Sequence, residues 1–206
     1  LKPPELDGGG GGRRPVVIVG AGMAGPTLAL ALAQRGVASV VLDEDDTVSL
    51  GSRSICQAKH SLETWDRFGV AGRMVEKGIT WEQGELYLHD KPVFRFNLQP
   101  EPGHKFPAFV NLQQYHFEEA LVRRASALPA LELRWRHRVT AVYCTADRVS
   151  LTVATEDGEY ALAVGAAEGA GAARLVSVLE VLVVAVCDAI APFIADRKLA
   201  DVPGIG

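Results

Sequence analysis

Three glycines, Gly20, Gly22 and Gly25, stand as G-x-G-x-x-G, and an acid, Asp43, follows 18 residues after the last of them. These residue types suit the recognition of phosphate and sugar, not acid–base chemistry. The first glycine permits a tight turn, the second lets backbone touch a pyrophosphate, and the third lets a helix pack closely on a strand. A helix starting here would offer free N–H groups and a partial positive charge to the phosphates. A carboxylate at the spacing of Asp43 can accept hydrogen bonds from ribose hydroxyls. The pattern implies a dinucleotide-binding unit; the competing reading is a βαβ unit whose glycines serve packing only.

The flanking residues supply the elements such a site requires. Val16 to Val19 are an unbroken β-branched run, which reads as a strand buried on both faces. Thr27 to Arg35 are rich in helix formers and stop at Gly36, with Pro26 in the first helical turn. Ser39 to Leu42 read as a second apolar strand ending at Asp43-Glu44.

Composition narrows the class. With 206 residues, 48% hydrophobic and 22% charged, the chain reads as an ordinary globular protein able to bury one good core. A net charge of -4 gives no basis for nucleic-acid binding. Cys56, Cys144 and Cys187 and the five histidines have no metal-ligand spacing, so no metal is expected. The cysteines read as reduced thiols of a cytoplasmic protein. Leu1 to Asp7 lack a signal-peptide core, and Glu180 and Asp188 interrupt the apolar stretch Leu175 to Ala195, so no membrane span is expected. The missing initial methionine suggests a processed chain or a piece of a longer one.

Three regions follow along the chain. Residues 1–13 read as a flexible leader because of the glycine run Gly8 to Gly12. Residues 14–164 read as one domain, and residues 165–206 as a divergent tail. Within the domain, helices are predicted over Ala58 to Phe68, with Leu62, Trp65 and Phe68 as core, over Val70 to Lys77, and over Gln113 to Ala127. Alternation predicts strands at Glu85 to His89 and Pro92 to Asn97, and a short one within Phe106 to Leu112. Further strands are predicted at Leu131 to Trp135, His137 to Cys144, Val149 to Thr155 and Tyr160 to Val164, with Asp157-Gly158 as a hairpin turn.

From Arg14 to Val164 this order resembles the N-terminal part of the FAD-dependent aromatic-ring monooxygenases, the hydroxyphenylpropionate hydroxylase group in particular. The resemblance is carried by Val16 to Gly25, the strand ending at Asp43, Gly51-Ser52-Arg53-Ser54-Ile55, and Asn111-Leu112-Gln113-Gln114 opening a helix. It implies an α/β fold: a Rossmann-type FAD-binding domain with a parallel sheet plus antiparallel β additions, truncated relative to the family. It also implies that Gly20, Gly22 and Gly25 cradle the FAD pyrophosphate, that Asp43 holds the adenosine ribose, and that Glu44 lies near the adenine. Arg53 would reach the phosphates or the flavin edge. Gln114, or else Gln113, would hydrogen-bond the cofactor, and Val139 would place backbone groups against the adenine.

In such enzymes NAD(P)H reduces the flavin, and O₂ is then used to hydroxylate a small aromatic, phenolic substrate. The cofactor carries the difficult chemistry, so no catalytic side chain is named. A complete member also has a Gly-Asp ribitol motif and a substrate domain, beyond the last residue here. Its Asp-Gly motif has its nearest counterpart in Asp188-Ala189, with alanine for glycine. The segment Asp196-Arg197-Lys198-Leu199-Ala200-Asp201 is similar to the charged array of orotidine monophosphate decarboxylases, which suggests a chimeric or truncated product. The alternatives are an NAD(P)-binding oxidoreductase domain and a non-catalytic remnant. Apolar faces left uncovered by truncation would favour self-association.

Overall fold

The computed structural model describes residues 3–7, 14–51, 54–145 and 149–165. In chain order these form a 3-10 turn (Pro4–Asp7), β1 (Val17–Val19), α1 (Ala24–Ala33), β2 (Ser39–Leu42), β3 (Cys56–Ala58), α2 (Lys59–Asp66), α3 (Ala71–Lys77) and β4 (Ile79–Trp81). There follow β5 (Gln83–Leu88), β6 (Lys91–Asn97), β7 (Phe109–Asn111), α4 (Gln114–Ser126), β8 (Leu131–Arg134), β9 (Arg138–Cys144), β10 (Val149–Thr155) and β11 (Gly158–Val164). They fall into two compact units, Leu1–Val48 with Ala125–Gly206, and Ser49–Arg124. Beyond Gly165 the tail expected over residues 165–206 lies outside the described residues, and with it Asp188-Ala189 and the Asp196 to Asp201 segment.

In the first unit β1, β2 and β8 make a parallel sheet in the order β1-β2-β8, and β11, β10 and β9 an antiparallel one. The β-branched run at β1 is buried on both faces because successive side chains point opposite ways. Val17 joins Val40, Leu42, Leu151, Val153 and Leu162 in one apolar cluster, while Val16 and Ile18 pack with Val41, Ala21 and Ala29 of α1 in another. Gly36, at a φ of 73°, ends the helix. Its N–H reaches the Ala33 carbonyl and the Val37 N–H the Leu32 carbonyl, a Schellman pair that satisfies two terminal acceptors.

Within residues 1–13, expected as a leader, Pro4–Asp7 forms a 3-10 turn. Leu6 packs against the Val17 cluster. Glu5 meets Arg134 through two hydrogen bonds, Nη1 to Oε2 at 3.2 Å and Nη2 to Oε1 at 3.1 Å. Both side chains are nearly sealed from solvent, 3% and 5% exposed. Arg134 also donates to Glu132 at 2.8 Å and to the Tyr160 hydroxyl at 3.0 Å, and Arg14 lies 3.6 Å from Glu5. A carboxylate aimed at a buried cation thus holds the Pro4–Asp7 turn in place. Gly8 to Gly12 lie outside the described residues.

The second unit has a three-stranded antiparallel sheet, β3-β7-β4, and a separate hairpin, β5–β6. Leu62, Trp65 and Phe68 are buried as expected, and Trp65 meets Phe117 of α4 with ring centroids 5.3 Å apart. Gly69, at a φ of 76°, ends the turn after α2. In the hairpin, Gly84 sits opposite Phe96, whose ring occupies the place of a Cβ. Leu86, Leu88, Val93 and Phe94 of the hairpin are exposed.

Two outcomes follow from this packing. Leu162→Ala, at a fully buried site, is expected to lower stability by about 2–5 kcal/mol, read by urea unfolding. Burial pushes the Glu5 carboxyl up, but hydrogen bonds and charge from Arg134 and the charge of Arg14 outweigh it, so its pKa lies below the ordinary carboxylate value. A depressed folded pKa gives stability that is present above the unfolded pKa and lost as pH falls through the folded one. Acidification through and below the carboxylate range should therefore undock the turn, and the protection of the Leu6 amide relative to its intrinsic exchange rate at each pH should fall there; protection that stays constant would exclude the linkage.

Candidate dinucleotide-binding site

The site is set by strand register. Val19 lies opposite Leu42, and the Gly20 N–H extends the ladder to the Leu42 carbonyl at 2.8 Å. The turn after β1 is therefore level with the first residue after β2, which is Asp43. Gly20 takes a φ of 103°, a conformation L side chains rarely adopt. Ala21 then donates its N–H to Asp43 Oδ2 at 2.5 Å, while Asp43 Oδ1 accepts the Asp45 N–H at 2.9 Å.

The third glycine is required by contact. A Cβ on Gly25 would stand 1.9 Å from the Gly20 carbonyl oxygen and 3.4 Å from Ile18. Helix α1 can thus start against the turn only without a side chain there. Met23 precedes it with no side-chain cap, and its first turn carries no acid. The early N–H groups therefore remain available to an anion. Gly22 is exposed at the tip. Asp43 uses two of its roughly four acceptor positions internally, leaving capacity for hydroxyl donors.

Beyond Asp43 a depression of about 650 Å³ is lined by Glu44, Asp45, Asp46, Arg136, Arg138 and Glu156, among others. Glu44 pairs with Arg138 at 3.4 Å, and Arg136 spans Asp46 and Glu156 at 3.2 and 3.3 Å. All six side chains are well exposed or edge the open depression, so these pairs add little stability. Val139 lies beside a bulge, where β9 advances from Val139 to Ala141 while β10 advances only from Val153 to Thr152. Its side chain packs on the Val17 cluster, so backbone is what it can offer a ligand.

The other two candidates belong to the second unit. Gln114 donates its side-chain N–H to Glu118 at 2.7 Å. Arg53 lies outside the described residues. Gln113, the alternative to Gln114, is exposed just before α4.

Residues 13–169 match the family described as FAD binding domain. This chain belongs to that family. It is 28% identical over 132 residues to para-nitrophenol 4-monooxygenase of a Pseudomonas species, covering 62% of this chain and 32% of that protein. It is 28% identical over 137 residues to the 3-(3-hydroxy-phenyl)propionate/3-hydroxycinnamic acid hydroxylase of Mycolicibacterium vanbaalenii, covering 66% and 24%. Among solved structures, OxyS anhydrotetracycline hydroxylase from Streptomyces rimosus superposes with a TM-score of 0.64 at 27% identity, covering 74% of this chain and 30% of that one. The chain spans about a quarter to a third of the length of the curated relatives it matches. The expected resemblance to the N-terminal portion of aromatic-ring monooxygenases holds.

The FAD-binding domain also uses residues that sequence reading passed over. Glu118, 1% exposed, accepts the Ser49 N–H at 3.0 Å and the Ser49 hydroxyl at 2.6 Å, anchoring the start of the loop that leads to Gly51. Its spacing of four from Gln114 on one helix was the available signal. Arg136 adopts a φ of 60°, unusual for a side chain of its size, while its N–H holds the Asp45 carbonyl at 2.9 Å.

Gly25→Ala is expected to force α1 off the Gly20 turn. It should lower thermal stability by an amount in or above the roughly 1–3 kcal/mol range of overpacking and abolish nucleotide binding. A melting curve with a parallel dinucleotide titration checks both.

Proposed function

We propose that this FAD-binding domain holds FAD by its ADP half. Gly20, Gly22 and Gly25 surround the pyrophosphate, Asp43 accepts from the adenosine ribose, and Glu44 with the Val139 backbone borders the adenine. The observation that carries the reading is the lock between Asp43 and the Ala21 N–H, which fixes the acid beside an uncapped helix start. Absence of a Cβ at Gly25 lets α1 begin against the Gly20 turn, and exposure of Gly22 at the tip suits the close backbone approach a pyrophosphate needs. For the flavin half the candidates are Arg53 and Gln114; Gln114 would have to share its amide with Glu118.

Bound flavin would supply the redox chemistry, taking electrons from NAD(P)H and delivering them to O₂ for hydroxylation of a small phenolic ring. The residues of this chain bind and orient; none of those described is assigned a proton-transfer step. The substrate class follows the relatives, which are named for para-nitrophenol and for hydroxyphenyl acids. It is a proposal for the whole protein of which those relatives are the pattern, and a cytoplasmic setting goes with it.

The test is the visible spectrum of the purified chain, followed by titration with FAD and, separately, NADH. FAD binding near micromolar, about -8 kcal/mol, is expected. Asp43→Ala should weaken it roughly 10- to 100-fold, as loss of hydrogen bonds to a charged acceptor does, and Gly22→Val should abolish it. A folded chain that binds no FAD, or binds it equally well with Val at position 22, would overturn the reading. NADH bound more tightly than FAD would replace it with a nicotinamide dinucleotide site.

A further inference from the structure

The N-terminal turn and the nucleotide end of the sheet are joined through one residue. Arg134 closes β8, and its carbonyl accepts the Asp43 N–H at 3.0 Å. Three residues later the His137 N–H returns to the Asp43 carbonyl at 2.7 Å, and between them the Arg136 N–H reaches Asp45. The main chain of Asp43 is thus clasped from both sides by residues 134–137. Its side chain is then free to engage Ala21 and a ligand.

The side chain of Arg134 ties the same strand end to the N-terminal turn. Its guanidinium is buried, donates to Glu132 and to Tyr160, and lies 5.9 Å from the centre of the Tyr160 ring. Glu132 is 43% exposed and engages Nε alone, whereas Glu5 takes both terminal nitrogens from within the protein. Removing the Glu5 charge would leave a buried cation incompletely paired, which is strongly unfavourable. The relief open to it is rotation of Arg134 toward water, and that motion drags the end of β8 from Asp43.

We infer that Glu5 is a positioning residue for the nucleotide site: the N-terminal turn, docked on Arg134, sets the posture of Asp43 that ribose recognition requires. Glu5 is assigned this role along the line Glu5–Arg134–Asp43, while its ion pair with Arg14 ties the same turn to the residues before β1. This inference rests on the FAD reading above. It adds that residues N-terminal to the glycine motif control the affinity of the motif.

The test uses the full chain in a double-mutant cycle, with FAD affinity followed by flavin fluorescence and amide exchange followed by NMR. Glu5→Gln is expected to weaken FAD binding roughly 5- to 150-fold, the usual range for coupling between separate sites. In the same variant, exchange at Asp43 should accelerate relative to Val41 within β2. In an Asp43→Asn background, which keeps one acceptor oxygen, Glu5→Gln should change FAD affinity less than twofold. A merely structural role would weaken binding by the same factor in both backgrounds and leave exchange at Asp43 and Val41 rising together; either result overturns the inference. Should Glu5→Gln fail to fold, Glu5→Asp, which keeps the charge but shortens the reach, carries the same readouts. Unchanged affinity and unchanged Asp43 exchange in a folded Glu5 variant would also overturn it. An intact chain that binds no FAD refutes the functional reading before any variant is made, and the inference with it; binding by the intact chain with no Glu5 effect refutes the inference alone.

Discussion

The carbonyl oxygen of Gly20 occupies the space where a side chain of residue 25 would begin. Because that side chain is missing, α1 starts against the end of β1 and its unpaired N–H groups gather at one point of the sheet. Parallel pairing of β1 with β2 then delivers Asp43 to the same level. Three features that are separate in sequence become one site because a helix may approach a turn to within a distance only hydrogen atoms can fill. Adding one methyl group separates them, whatever the chemistry of the remaining residues.

Much of this was legible in the sequence, for reasons that differ by element. The β-branched run at 16–19 and the helix stopped by Gly36 are local signals, and each lies where its pattern puts it; the hairpin expected at Asp157-Gly158 forms one residue earlier, with Glu156-Asp157 as the loop and Gly158 paired with Thr155. Strands β2 and β10 match their predicted bounds of 39–42 and 149–155. Shorter pieces were missed: β3 and β4 have three residues each, too few to show a period, and exist through pairing with β7. At the site, Gly20, Gly25 and Asp43 come together as the motif implies. Gln114 had the right helix position, but its partner Glu118 was invisible to a reading that looked for ligands and not for neighbours on the same turn.

The buried charge cluster shows a different limit. Glu5 and Arg134 lie 129 positions apart, and nothing in either neighbourhood distinguishes them from solvated residues. Composition of the N-terminal segment is blind to a single ionic contact such as this one. Such pairs seldom add net stability compared with well-packed apolar residues, since both ions are stripped of water. Their value lies in definition: a guanidinium with its donors directed to Glu5, Glu132 and Tyr160 has one arrangement that satisfies them together.

The hairpin β5–β6 stands apart from these tightly specified regions. It has only two strands, Pro92 removes a donor from one of them, and the register shifts between Leu86 and Tyr87. Two-stranded ribbons are marginal in water, and the apolar residues here face solvent and not a core. Local opening of this ribbon therefore needs far less free energy than opening of β10, whose Leu151 and Val153 are sealed between neighbours. The ribbon can thus open and close while β10 stays paired, a motion confined to Gln83–Asn97 that leaves the core intact.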